Sequence, residues 1–260
     1  MQPMPDLLLE DEPDPYSTAL FFDFDGTLVA IEEQPDQVSL RAETVAALEI
    51  LADVLDGAVA ILSGRPVGEL TSFLDPLRLP LAGVHGLETS DVAGTVTRHS
   101  FDQNSLAMLV EQARSFAAPH AGLLVEAKPG SVALHFRRRP ELEAAVVSFA
   151  KGAAASVPGA GLILGKMVAE LRLGGRTKAD ALSHFMAVPP FAGRTPWFFG
   201  DDVTDEDGFS RANELGGRSF RIGEGRTLAM QTFADFETFQ HWLTATANRL
   251  STKAIPGSGS

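Results

Sequence analysis

The chain has 260 residues, 45% of them hydrophobic, which is enough for one large domain or two modest ones with a buried core. Its formal net charge of −13 argues against nonspecific binding to nucleic acid or to an anionic membrane, so neither is expected as a partner. There is no cysteine, which excludes disulfides, thiolate metal sites and cysteine nucleophiles.

The first residues, MQPMPDLLLEDEPDP, carry neither a basic n-region nor a long apolar h-region. No apolar stretch approaches the roughly 20 residues of a membrane span. The expectation is a soluble, cytoplasmic monomer with flexible ends at 1–15 and 251–260.

In chain order, residues 18–23 form a continuous apolar run, the pattern of a parallel strand covered on both faces. Residues 39–55 keep helical spacing through Leu40, Ala47, Leu48, Leu51 and Leu55, with Ser39 as N-cap. A second apolar strand, 58–62, ends at Ser63-Gly64-Arg65-Pro66, and Pro66 suits the first turn of a helix reaching Leu74. Residues 80–84 predict a third strand. This alternation predicts a doubly wound parallel sheet.

The pattern then changes. Residues 102–118 and 140–156 predict helices. Residues 122–127 and 131–137 predict strands around the turn Lys128-Pro129-Gly130, and 161–165 and 167–173 predict another pair. Helix 177–187, strands 196–200 and 218–222, and helix 235–250 return to the first pattern. The reading is an α/β core of 16–88 plus 176–250, interrupted by an α+β module of 89–175.

Asp23-Phe24-Asp25-Gly26-Thr27 leaves the first strand. A calcium loop of EF-hand type fails, because its sixth and twelfth positions would be Leu28 and Gln34 rather than Gly and Glu. A turn using Asp and Gly for conformation alone is the plainer alternative. Gly200-Asp201-Asp202-Val203-Thr204-Asp205-Glu206-Asp207 follows another apolar strand; alone, it reads as an acidic helix start. Two acidic strand ends in one sheet make a hard oxygen site suited to Mg²⁺.

Ser63 and Gly64 at a helix start can capture phosphate, with Arg65 adding a charge-assisted contact. Lys178 near a cation site can hold phosphate or orient a carboxylate. Together these segments describe phosphoryl transfer: Asp23 attacks phosphorus, and Asp25 protonates the leaving oxygen and then activates water.

On these residues the chain resembles the haloacid dehalogenase (HAD) superfamily of phosphatases, whose four motifs match in order: Asp23 to Thr27, Ser63, Lys178, and Gly200 to Asp205. The resemblance implies a Rossmann-like core with a parallel sheet, and an inserted C2-type cap. It implies Mg²⁺ held by Asp23, the backbone of Asp25, and Asp201, with Asp202 and Asp205 supporting metal waters and Lys178.

A closer resemblance, over nearly the whole chain, is to the trehalose-6-phosphate phosphatase family. It rests on Ser63-Gly64-Arg65, Val84-His85-Gly86-Leu87-Glu88, Glu126-Ala127-Lys128, Ala133-Leu134-His135-Phe136-Arg137, and Glu170-Leu171-Arg172. This implies a sugar-phosphate substrate contacted by Glu126, Lys128, Arg137 and Glu170 from the cap, and by Arg65 and His85 from the core. Another capped phosphatase, acting on sucrose 6-phosphate or mannosyl-phosphoglycerate, would share the core motifs, so the cap residues discriminate. Ala179 after Lys178, where the family usually has Gly, and Leu173, where a proline is frequent, depart from the pattern. His135 alone reads as a structural strand residue.

Overall fold

All five residues of β1 (Thr18–Phe22) are buried, which requires cover on both faces, and the computed structural model supplies it. It describes residues 12–31 and 38–254. β1 lies between β2 (Val59–Leu62) and β10 (Thr195–Gly200), pairing with both in parallel. β11 (Arg218–Ile222) and β12 (Gln231–Phe233) extend the sheet beyond β10, and β3 (Leu81–Gly83) extends it beyond β2, all in parallel.

Helices α1 (Ala42–Val54), α2 (Val67–Leu74), α5 (Lys178–Met186), α6 (Glu206–Glu214) and α7 (Phe236–Ala254) belong to this body. Aromatic rings fill much of its interior. The Phe199 ring stacks on Phe220 at 4.5 Å and 7°, with Phe233, Phe239 and Trp242 around them. Burial of such rings dominates the stability of a core.

The sheet does not stop at residue 88, where the sequence reading ends the first core segment. β4 (Glu88–Ser90) and β5 (Val96–Arg98) add two antiparallel strands and carry it on to Arg98. These strands have three residues each, too short for an apolar run to reveal.

Two other expectations change. Helix α1 begins at Ala42 with Arg41, not Ser39, at its N-cap and no side-chain cap. Arg41 instead pairs with Glu237 of α7 at 2.5 Å, a contact distant in sequence. The ends are also less free than expected. α7 runs to Ala254, and Glu12 accepts from Arg249 Nε at 2.5 Å and pairs with Lys253. The rest of the predicted flexible ends, 1–11 and 255–260, lies outside the described residues.

Between β5 and α5 lies a second module. Its sheet has the order β6-β7-β9-β8, from β6 (Leu124–Lys128), β7 (Ser131–His135), β9 (Val168–Arg172) and β8 (Gly161–Gly165), with every neighbour antiparallel. Helices α3 (Gln103–Ala117) and α4 (Glu143–Ser156) cover one face, where Val132, Leu134, Ala169 and Leu171 pack with Leu109 and Val146. Strand alternation sends the neighbouring residues to the other face. There Glu126, Ala133, Glu170 and Ile163 form one row across the sheet. That face stands over the carboxyl ends of β1 and β10. Among the described residues, no helix is long and apolar enough to cross a membrane.

Candidate active site

Parallel pairing places the ends of β1 and β10 side by side, with Phe22 opposite Phe199. The Asp23 N–H continues the ladder to the Phe199 carbonyl at 2.8 Å. Asp23 and Asp201 are therefore neighbours although far apart in sequence. Gly26 makes the approach possible. It has φ of +89°, and a Cβ there would stand 2.1 Å from Asp201 Oδ2. Only glycine combines that backbone with that space.

Lys178 opens α5, whose N-terminus is closed by a capping box between Thr177 and Asp180. Its Nζ donates to Asp23 Oδ1 and to Asp205 Oδ1, both at 2.5 Å. The other oxygen of Asp205 accepts the N–H groups of Asp201 and Asp202, each at 3.0 Å. Asp205 thus ties the β10 loop to the lysine. Asp202 Oδ1 accepts from the Val203 N–H at 2.7 Å and caps the turn there.

The electrostatics follow from burial. Burial, together with Asp205 and Asp25, pushes the Asp23 carboxyl up to about 8 despite Lys178. Burial and the neighbouring carboxylates of Asp23, Asp205 and Asp202 push Asp201 up to about 9. Burial works against the Lys178 charge, but Asp205 and Asp23 hold its ammonium above its ordinary value.

Ligand oxygens of Asp23, Asp201 and Asp205 lie within 4.8 Å of one another. Asp201 Oδ1 is buried without a hydrogen-bond partner among the described residues. Three acids converge on one point, and one of their oxygens is unsatisfied. The donor set is all oxygen and fits a hard divalent ion such as Mg²⁺.

Ser63 follows β2, and its Oγ accepts the Arg65 N–H at 3.1 Å, which leaves its hydroxyl hydrogen to donate elsewhere. Gly64 lies against the His85 ring, where a Cβ would stand 2.8 Å from Nε2. Val84 and His85 adopt positive φ of 48° and 54°. The His85 N–H donates to the Ser63 carbonyl at 2.9 Å. This strained turn carries the imidazole into the cleft, where Nε2 lies 3.2 Å from Glu170 Oε2 of the cap. Burial opposes the Glu170 charge, but His85 holds its carboxyl well below the usual range.

Glu126 is also engaged by a histidine, since His135 Nε2 lies 2.8 Å from its Oε2. Lys128 Nζ stands 3.5 Å from the same oxygen. Burial opposes the Glu126 charge, and His135 and Lys128 hold its carboxyl below its ordinary value.

One cavity of about 960 Å³ joins these groups. Asp23, Asp25, Ser63, Gly64, Lys178, Asp201 and Asp202 line its floor, and Glu126, Lys128, Arg137 and Glu170 its roof. Arg65 and His85 stand on the wall. Asp205 is fully buried beneath the floor. Arg65 is bound to Asp25, a partnership the sequence did not suggest. His135 lines the cavity too, which its reading as a structural strand residue missed. The signal was available in the hairpin. Glu126 pairs with Ala133 and Leu124 with His135, so strand alternation puts residues 126 and 135 on one face.

Comparison with known proteins gives this arrangement a context. A family model described as trehalose-phosphatase matches residues 21–229. The chain is 41% identical over 236 residues to the trehalose-6-phosphate phosphatase of Escherichia coli (strain K12), covering 90% of this chain and 88% of that one. The fold is similar to that of the C-terminal domain of the C. albicans trehalose-6-phosphate phosphatase, with a TM-score of 0.82 at 20% identity, covering 93% and 94% of the two chains. It is similar also to a phosphatase of the haloalkanoate (HAD) enzyme superfamily from Bacteroides thetaiotaomicron, with a TM-score of 0.59 at 14% identity, covering 91% and 96%.

Proposed function

The chain belongs to the trehalose-phosphatase family, and on that premise we propose how its residues carry out the reaction. It is a phosphoric monoester hydrolase that converts trehalose 6-phosphate to trehalose and inorganic phosphate. The observation that carries the mechanism is the convergence of Asp23, Asp201 and Lys178 at two adjacent strand ends, opposite Glu126 and Glu170 across one cavity.

Asp23 is the nucleophile. Lys178 takes its Oδ1 and thereby fixes the rotation of the carboxylate. Attack on phosphorus forms an aspartyl-phosphate and releases the sugar oxygen. Asp25 gives that oxygen a proton, then takes one from the water that opens the aspartyl-phosphate. The free hydroxyl hydrogen of Ser63 and the Gly64 N–H donate to phosphoryl oxygens, and Lys178 offsets their charge.

Mg²⁺ would be held by Asp23, Asp201 and the Asp25 carbonyl, and when bound it supplies charge neutralisation for the phosphoryl group. Asp205 keeps Lys178 and the β10 loop in place, and Asp202 holds the turn beside them. On the cap, Glu126, Lys128 and Glu170 read sugar hydroxyls, with Arg137 at the rim. Carboxylates and an ammonium in this arrangement accept from and donate to vicinal hydroxyls, and reject sugars lacking them. The enzyme acts as a cytoplasmic monomer.

The test is a panel of sugar phosphates assayed with and without Mg²⁺. Turnover strongly favouring trehalose 6-phosphate and lost with chelator is expected. Equal rates on glucose 6-phosphate or sucrose 6-phosphate would remove the substrate assignment.

A further inference from the structure

Asp25 carries both proton transfers in the mechanism, yet it is not a free side chain in the cleft. Arg65 Nε donates to its Oδ2 and Arg65 Nη2 to its Oδ1, each at 2.7 Å. This is the parallel two-bond geometry that a planar guanidinium makes with a carboxylate and that a lysine cannot reproduce.

The two partners differ in surroundings. The Arg65 side chain is 9% exposed, whereas that of Asp25 is 40% exposed toward the cavity. The Arg65 guanidinium carbon lies 5.7 Å from the Phe24 ring centre and 5.2 Å from that of Phe73. Its Nη1 reaches Glu69 Oε2 at 3.4 Å, and its backbone N–H is held by Ser63. The guanidinium is thus fixed by rings, by the α2 helix and by the turn after β2. Asp25 is the partner that can move, and Arg65 sets where it points.

We propose that Arg65 is a positioning residue for Asp25 and does not read the sugar. The guanidinium fork takes one lone pair from each carboxylate oxygen and leaves the others directed elsewhere, so Asp25 stays able to exchange a proton while its plane is fixed. The same side chain links the phosphate turn to the acid–base group, because Ser63 holds its backbone and Asp25 holds its tip. A substitution at position 65 should therefore act on leaving-group protonation more than on substrate affinity. The inference rests on the assignment of Asp25 as the acid–base residue.

The experiment compares single-turnover rates of Arg65→Ala and Arg65→Lys with the unaltered protein in the presence of Mg²⁺. Two substrates are used: trehalose 6-phosphate, whose alkoxide needs a proton to depart, and p-nitrophenyl phosphate, whose phenolate departs without one. For Arg65→Ala the expected loss on the sugar phosphate is on the order of 10²-fold, the usual scale for a positioned general acid. The aryl phosphate should lose far less, and KM for the sugar should change little. Arg65→Lys, which keeps the charge without the fork, should fall between.

Loss of the same size on both substrates, or a raised KM with an unchanged single-turnover rate, would overturn the inference. Thermal melting of each variant separates a folding defect, which Arg65→Lys guards against by keeping the buried charge. In an Asp25→Asn background, Arg65→Ala should add no further loss. If Asp25→Asn alone retains full turnover of the sugar phosphate, the acid–base assignment itself has failed.

Discussion

The Nζ of Lys178 lies 2.5 Å from Oδ1 of Asp23, although 155 positions separate them in the chain. Both side chains are buried, so neither charge can be left without the other at small cost. The pair fixes the rotation of Asp23 and brings a fixed positive charge to where the proposed mechanism puts the phosphoryl oxygens. Asp205 completes the arrangement on the far side of the ammonium.

Asp23→Asn keeps the shape and removes the proposed nucleophile. We expect kcat to fall by about three or more orders of magnitude, as removal of a covalent nucleophile should. A steady-state assay checks this, with circular dichroism to confirm that the fold remains.

Gly26→Ala should abolish metal binding. The new Cβ would stand 2.1 Å from Asp201 Oδ2, and the backbone there has φ of +89°. Asp201 must move or the turn must open, and either separates it from Asp23. Isothermal titration with Mg²⁺ should show no saturable site in this variant, and phosphatase activity should be lost with it.

Stability without metal should fall as pH rises. Burial above all pushes Asp23 and Asp201 up to about 8 and about 9, so the folded state keeps protons that the unfolded chain has released above about pH 4. A folded state that binds more protons loses stability with rising pH across that window. Lys178, held above its ordinary value, is charged in both states there and contributes no slope. On the proposed reading Mg²⁺ binds the ionised carboxylates, so its effect on the melting temperature should be larger near pH 9 than near pH 6, on the order of several degrees. Melting curves with Mg²⁺ and with chelator at each pH provide the check.

Glu126→Ala and Glu170→Ala should raise KM for trehalose 6-phosphate about 10-fold or more, the scale of a lost hydrogen bond to a charged group. A small aryl phosphate, which does not reach the cap, should be affected far less. Equal losses on both substrates would remove these residues from sugar recognition.

The convergence of Asp23, Asp201 and Lys178 on the cavity floor was legible in the sequence because each piece is local. Asp23 and Asp201 each end an apolar strand, and Lys178 opens a helix, so strand and helix patterns fix their places. The pairing of Arg65 with Asp25 was not legible, because it joins two side chains 40 positions apart through the packing of Phe24 and Phe73. The strained turn at Val84 and His85 left no mark either, since neither residue type announces a positive φ. β4, β5 and β12 escaped for a different reason. Each has three residues, and partners in the sheet rather than a run of apolar side chains hold them in place.

The most direct test is to find the phosphoryl group on the enzyme. Mixing the protein with trehalose 6-phosphate and Mg²⁺, quenching in acid within the first turnover and sequencing the peptides by mass spectrometry should place a phosphoryl adduct on Asp23. Capture of the adduct on another residue, or none while trehalose is still released, would contradict the account.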